Sequence, residues 1–170
     1  MAAVMRLGLD EVGVTELMAV TEHARAMATT AAALLLERLD DAGGLVPAVT
    51  DAPEDEEVRT LLADIRTEVP SAVLWRILAR NPHYLRSTWR KEQVVMRDGA
   101  LNARDKRRVA LGIAMSLRAR YMIEYHAALV RRAGDGDAEI LEILGVVDHY
   151  TTLNTLSEGM QIESDIVPPA

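Results

Sequence analysis

The chain has 170 residues, 49% apolar and 26% charged, with a formal net charge of −7 and no cysteine. That length suits one domain with a substantial core. The acidic balance argues against a nucleic-acid partner, and the lack of cysteine excludes disulfides, thiolate metal ligands and thiol nucleophiles. No apolar run approaches the roughly 18 residues that would suggest a membrane span, and MAAVMRLGLDEVGV lacks the basic-then-apolar layout of a secretory signal. A cytoplasmic protein with no membrane partner is expected.

The pattern is helical almost throughout, and no stretch alternates apolar and polar residues long enough to argue for a sheet. A first helix is expected over Thr15–Leu39, with Thr15 as N-cap and an apolar stripe through Val20, Ala24, Met27 and Ala31. Gly43, Gly44 and Pro47 break it, so residues 40–53 read as a loop or tether. The acidic run Glu54–Glu57 opens a second helix that ends before Pro70, where negative charge complements the helix dipole. A short helix over Ser71–Arg80 and another over Pro82–Arg97 are separated by Asn81-Pro82. One long helix is expected over Ala103–Ala133, with Asn102 and Asp105 pairing at its start and Gly134 ending it. A last helix runs over Asp137–Glu158. The whole reads as a single all-α domain, a bundle of about six helices around one long central helix, with the N-terminal helix joined by the tether to a core over residues 54–165.

An internal echo runs across this layout. TELMAVTEHARAMATT, from Thr15, and LEILGVVDHYTTLNTL, from Leu141, align at one constant offset. Glu16 then meets Glu142, Val20 meets Val146, His23 meets His149 and Gly8 meets Gly134. If the echo is a true duplication, the two helices pack in related positions.

The long helix carries the residues most suited to chemistry. Met115, Ala119, Met122, His126 and Val130 share one face by their spacing, and that face is apolar except for the imidazole. His126 is either a core histidine satisfied by a carbonyl or a tyrosine, or a general acid or base whose charging is opposed by burial. Tyr121 lies beside Met122 and could approach a pocket, Arg118 could hold an anionic substrate, and Arg120 should pair with Glu124 on the solvent side. Arg104–Arg108 reads as a solvated helix start. His23 and His149 could converge on His126, but no local spacing supports a metal site. There is no phosphate loop, dinucleotide-binding glycine pattern or nucleophile elbow.

Residues Arg76–Leu144, beginning RILARNPHYLRSTW, resemble the carboxymuconolactone decarboxylase and alkylhydroperoxidase D superfamily. The cues, in order, are Leu78, Ala79 and Pro82; Gly99 and Leu101 before the long helix; the histidine within it; Gly134; and the acidic opening Ala138–Ile140. The resemblance implies an all-α fold, frequent trimers or hexamers, and pockets at helix and subunit junctions. It also implies that the reactive cysteines of the peroxidase branch fall here at Ala119 and Met122, its upstream glutamate at Arg107, and a further histidine of some members at Tyr121. Only His126 is kept. A thiol peroxidase needs a thiolate and a resolving thiol, and neither alanine nor methionine supplies one. The decarboxylase branch has no obligatory cysteine pair, and its long-helix histidine matches His126. The expectation is therefore a non-redox lyase or isomerase needing no cofactor and no metal, acting on a small carboxylate or ketone within a homo-oligomer. His126 and Tyr121 would be catalytic, while Arg107, Arg118, Arg120, Met122 and Ala119 would line or bind substrate. The alternative is a catalytically silent oligomer with a binding or structural role.

Overall fold

The computed structural model describes residues 8–40, 43–50 and 53–161. Among them are seven helices and no named strand: α1 (Glu11–Ala33), α2 (Glu56–Glu68), α3 (Val73–Leu78), α4 (Pro82–Met96), α5 (Ala103–Ser116), α6 (Arg120–Arg132) and α7 (Asp137–Gly159). The fold is all-α, as the pattern implied. No helix among the described residues is long and apolar enough to cross a membrane.

Short polar side chains start four of these helices. Asp10, Asp55, Asn81 and Asn102 each accept the backbone N–H three residues on, at Gly13, Val58, Tyr84 and Asp105. This satisfies a donor that the first helical turn leaves unpaired. Asp10, rather than Thr15, caps α1, so the helix starts a turn earlier than expected, and the Thr15 hydroxyl bonds back to the Glu11 carbonyl.

The expected long central helix is two helices. α5 ends at Ser116, and Arg118 adopts a left-handed φ of 54°. Ala119 N–H then bonds to Ala114 O at 3.1 Å and Arg118 N–H to Met115 O at 3.0 Å. That pair of bonds is the usual closure of a helix on a left-handed residue, a place normally held by glycine. With arginine there the turn costs about 1–2 kcal/mol locally, and nothing in the residue types announces the break.

α5 sits at the centre and packs against α1, α6 and α7, while α1 also lies against α4 and α6 of the same chain. The main core gathers Leu62, Leu74, Trp75, Leu85, Tyr121 and Met122, among others, and a smaller cluster under α1 holds Val20, Ala24, Met96 and Ala110. The connection after α1 is not a free tether. Leu45 N–H bonds to Leu34 O at 2.7 Å, Arg76 donates twice to Val49 O, and Arg80 donates to Pro47 O at 2.6 Å. The described part of that segment is strapped to α3.

The echo extends to the backbone. α1 and α7 are each 23 residues long. Gly8 and Gly134, ahead of them, have φ of 91° and 94°; Leu35 and Gln161, behind them, have φ of 57° and 52°. Both helices lie against α5, but α1 buries seven residues and α7 buries none.

Two ionic clamps hold the N-terminal half of α5. Glu16 of α1 accepts Ala100 N–H, Leu101 N–H and the Lys106 ammonium at 3.1, 2.9 and 3.0 Å, and Lys106 also donates to Arg97 O. Those bonds hold the Glu16 carboxyl down at about 2. Gly99 makes room for this clamp, because a Cβ would fall 2.1 Å from the Glu16 carboxylate and the side chain would have to move off its bonds. The second clamp is Asp135, buried in the α6–α7 turn, which accepts Arg104 and Arg108 from α5. The basic segment Arg104–Arg108 is thus a set of internal fasteners rather than a solvated helix start. Asp135→Ala leaves two arginines without their acceptor and should lower unfolding free energy in urea by about 2 kcal/mol; an unchanged midpoint would mean the clamp adds nothing to stability.

Candidate functional site

The most concentrated buried polarity lies where α1, α4, α5 and α6 meet. On α4, the side chains turned inward are Leu85, Trp89, Glu92 and Met96. Three are apolar and the fourth is a carboxylate, only 4% exposed. Such a group is costly to bury unless it is paired. Glu92 has two partners. His23 Nε2 on α1 lies 2.6 Å from Oε2, and Arg107 Nη1 on α5 lies 2.5 Å from Oε1. Burial pushes the Glu92 carboxyl up, but the bond from His23 and the charge and bond of Arg107 outweigh it and bring it to about 2. The carboxylate carries no proton, so His23 Nε2 is the donor. The other guanidinium donors of Arg107 make no hydrogen bond among the described residues, and its side chain remains partly exposed. It is the member of the group that reaches toward solvent.

His126 on α6 sits within the field of these charges. It is 3% exposed, and neither ring nitrogen has a hydrogen-bond partner among the described residues. Buried polar atoms of that kind are rare and mark a site with unmet bonding capacity. Burial lowers the imidazole most. Glu92 pulls it back up, Arg107 and His23 push it down again, and it settles at about 3. The ring is neutral at physiological pH. Tyr125 packs edge-on against it at 5.3 Å between centroids, and the Tyr125 hydroxyl takes a bond from Trp75 Nε1. Burial and the Glu92 charge raise that phenol well above its usual range, so it keeps its proton.

The other residues singled out in the sequence are scattered around this group. Ala119 and Met122 are both buried in the first turn of α6, with His126 one turn further on. Tyr121 stacks on Tyr125 at 6.2 Å, but its hydroxyl accepts Leu74 N–H and bonds the Ser71 hydroxyl, on the α3 side of the core. Arg118 is exposed in the α5–α6 break, and Arg120 is exposed and paired with Glu37 instead of Glu124, whose carboxylate accepts Leu39 N–H. Neither arginine is brought to His126; Arg107 is. Of the two further histidines, His23 joins the group and His149 lies exposed on α7, against Tyr150. Among the described residues no three metal-binding side chains converge.

Sequence reasoning missed Glu92. Its signal is the spacing in LRSTWRKEQVVM, where Leu85, Trp89, Glu92 and Met96 follow steps of four, three and four, which places a carboxylate in an apolar stripe. Its link to Arg107 and His23, on helices distant in the chain, left no local trace.

Residues 82–162 match the Carboxymuconolactone decarboxylase family. Among solved structures, the alkylhydroperoxidase AhpD core from Rhodospirillum rubrum is 30% identical, with a TM-score of 0.59; the match covers 64% of this chain and 83% of that one. The chain belongs to the carboxymuconolactone decarboxylase and alkylhydroperoxidase D superfamily. No curated protein matches it. Within the superfamily it is a cysteine-free member. The family match takes in Glu92, Arg107 and His126 but begins after α1, so His23 reaches the group from outside the matched segment.

The neutral imidazole makes stability depend on pH in a definite direction. Below about 6.5 the unfolded chain gains a proton at His126 that the folded chain refuses until about 3. This contribution is complete above the upper value and is lost as pH falls toward the lower one. Glu92 acts over a lower window, from 4.5 down to about 2. Between pH 6.5 and 4.5, unfolding free energy should therefore fall more steeply for the wild type than for His126→Leu, by up to about 1.4 kcal/mol per pH unit. Parallel slopes for the two proteins in urea would contradict the neutral buried ring.

Proposed function

We propose that the protein is a non-redox lyase or isomerase that acts on a small carboxylate or ketone by proton transfer. The observation carrying this reading is His126, a buried imidazole with both nitrogens unpartnered, set beside the His23–Glu92–Arg107 group. A ring kept only for packing loses stability through those unmet bonds. A ring kept for chemistry has one nitrogen to accept a proton and another to donate a hydrogen bond to a carbonyl oxygen.

Arg107 supplies the place for a negative charge. Glu92 fixes the guanidinium at one end and leaves donors at the other, which suits a carboxylate or a developing enolate. An anion at Arg107 also offsets one of the two positive influences that hold His126 neutral. Substrate binding would then raise the basicity of the ring when a proton must be taken. In an isomerisation the proton would leave a carbon next to the carbonyl, form an N–H bond on His126, and return to another carbon of the same molecule; in a decarboxylation CO2 would leave first, and the enolate left behind would take one proton from water through the ring. Tyr121 and Tyr125 give the site an aromatic wall, and Ala119 and Met122 keep it apolar in the positions where relatives carry sulfur. Arg118 and Arg120 could enter only from the rim. No thiol chemistry is available to a chain without cysteine.

The substrate is a small molecule, and the working form is a homo-oligomer, a trimer or hexamer, in a cytoplasmic setting. A second reading, a catalytically silent oligomer, is favoured by one observation: His126 lines none of five surface grooves found among the described residues.

The test is turnover of a panel of small keto acids and lactone acids, followed by solvent-deuterium incorporation. His126→Ala should abolish exchange, and Arg107→Gln should raise KM at least tenfold for acids while leaving neutral ketones less affected. Exchange that survives in His126→Ala would remove the ring from the reaction.

A further inference from the structure

α7 has apolar residues all round; Ile143 and Val147 lie against Gly112 of α5, but no residue of the helix is fully buried. Leu141, Val146, Tyr150 and Leu156 are each more than half exposed across 23 residues of continuous helix. A helix hydrophobic on all sides belongs in an interior. The echo with α1 identifies the face concerned. Val20, His23, Ala24 and Met27 bury α1 against its own chain. Their counterparts on α7 are Val146, His149, Tyr150 and Leu153, and all four are exposed. That face of α7 therefore carries the pattern of a docked helix, yet nothing among the described residues covers it.

Charge identifies what covers it. α7 holds five acids, Asp137, Glu139, Glu142, Asp148 and Glu158, and no lysine or arginine. Asp137 is engaged by Arg131, and Glu139 closes the start of the helix. Glu142, Asp148 and Glu158 remain on the exposed helix. A second α7 would set acid against acid. α4 has the opposite character. Its one acid, Glu92, is buried, and its outer stripe runs through His83, Arg86, Arg90 and Lys91 to Val94. Arg86 and Lys91 are answered by Glu57 and Glu22 at the surface, whereas Arg90 has no ion-pair partner among the described residues. Exposed Tyr84 and Val94 add apolar area beside these cations.

We propose that α7 of one copy docks along the α4 stripe of a second copy of this chain. The contact joins two different faces, and each copy offers both, as a closed assembly of identical subunits requires. It rests on the homo-oligomer of the proposed function and adds the two faces, and it is independent of any chemistry at His126. Because α4 carries Glu92 on its inner side, the docked helix backs the element that holds the buried ion group.

The test uses the full chain in two charge-reversed forms, Glu142→Arg with Asp148→Arg on α7, and Arg90→Glu with Lys91→Glu on α4. Mass is measured by light scattering and sedimentation over a concentration series at low and high salt, with helical circular dichroism to confirm folding. Wild type should be oligomeric. Each reversed form should dissociate with an apparent Kd at least tenfold weaker, and a chain carrying all four substitutions, in which the reversed faces match again, should recover the assembly. A monomeric wild type at every concentration overturns both the inference and the homo-oligomer. An oligomer indifferent to the α7 reversal, or a folded four-substitution chain that stays dissociated, overturns the inference and leaves the homo-oligomer standing.

Discussion

A carboxylate buried on the inner face of α4 organises this molecule. Glu92 takes the place of an apolar residue in a stripe that otherwise reads leucine, tryptophan and methionine. An unpaired ion there would cost several kcal/mol, so the fold has to bring cations or donors to it. It does so from two directions, with His23 from α1 and Arg107 from α5. One residue thereby joins three helices, and its charge, with that of Arg107, sets the electrostatic surroundings of His126 on a fourth. The Glu16–Lys106 clamp belongs to the same design. It anchors the turn between α4 and α5 to α1, which fixes the spacing of the helices that carry Glu92, Arg107 and His23.

Much of the fold was legible because its signals are local. Asn81 and Asn102 announce helix starts, Gly134 announces a stop, and the acidic run before α2 marks a first turn. The break in the central helix was not legible. It turns on Arg118 in a left-handed conformation, and an arginine there looks like any helix-surface residue. Arg104–Arg108 misled for a related reason. A run of cations resembles a solvated face, but the acids that absorb them, Asp135, Glu92 and Glu16, come from other helices and turns. The candidate site divides along the same line. The inward face bearing His126 could be read from spacing, and Arg107 from the resemblance to the superfamily. The part played by Glu92 depends on side chains 15 and 69 positions away in the chain, and such pairings have no sequence period. His23 was marked by the echo with His149, and the structure separates the two: one closes a buried ion group, the other stands in solvent.

The same positions explain how a superfamily scaffold could carry different chemistry. Ala119 and Met122 occupy the first turn of α6, one turn ahead of His126, where a helix N-terminus and nearby cations would favour a thiolate. With a methyl and a thioether in those places, no sulfur nucleophile remains. Arginine stands where the resemblance places an acid, and the carboxylate it needs is supplied from α4. The site keeps a cation, an anion and an imidazole within one another's electrostatic reach, but distributes them over different helices. Such a set is suited to moving protons and steadying negative charge.

The central claim is that the His126 ring, beside Arg107, is a place for a small anion or carbonyl. Crystals soaked in a mixture of small keto acids and carboxylates test it most directly. The account predicts an oxygen within hydrogen-bond reach of a His126 nitrogen, with the carboxylate on the free donors of Arg107. A ring that stays fully packed, with Arg107 turned only to Glu92 and no density between them at saturating ligand, would contradict it.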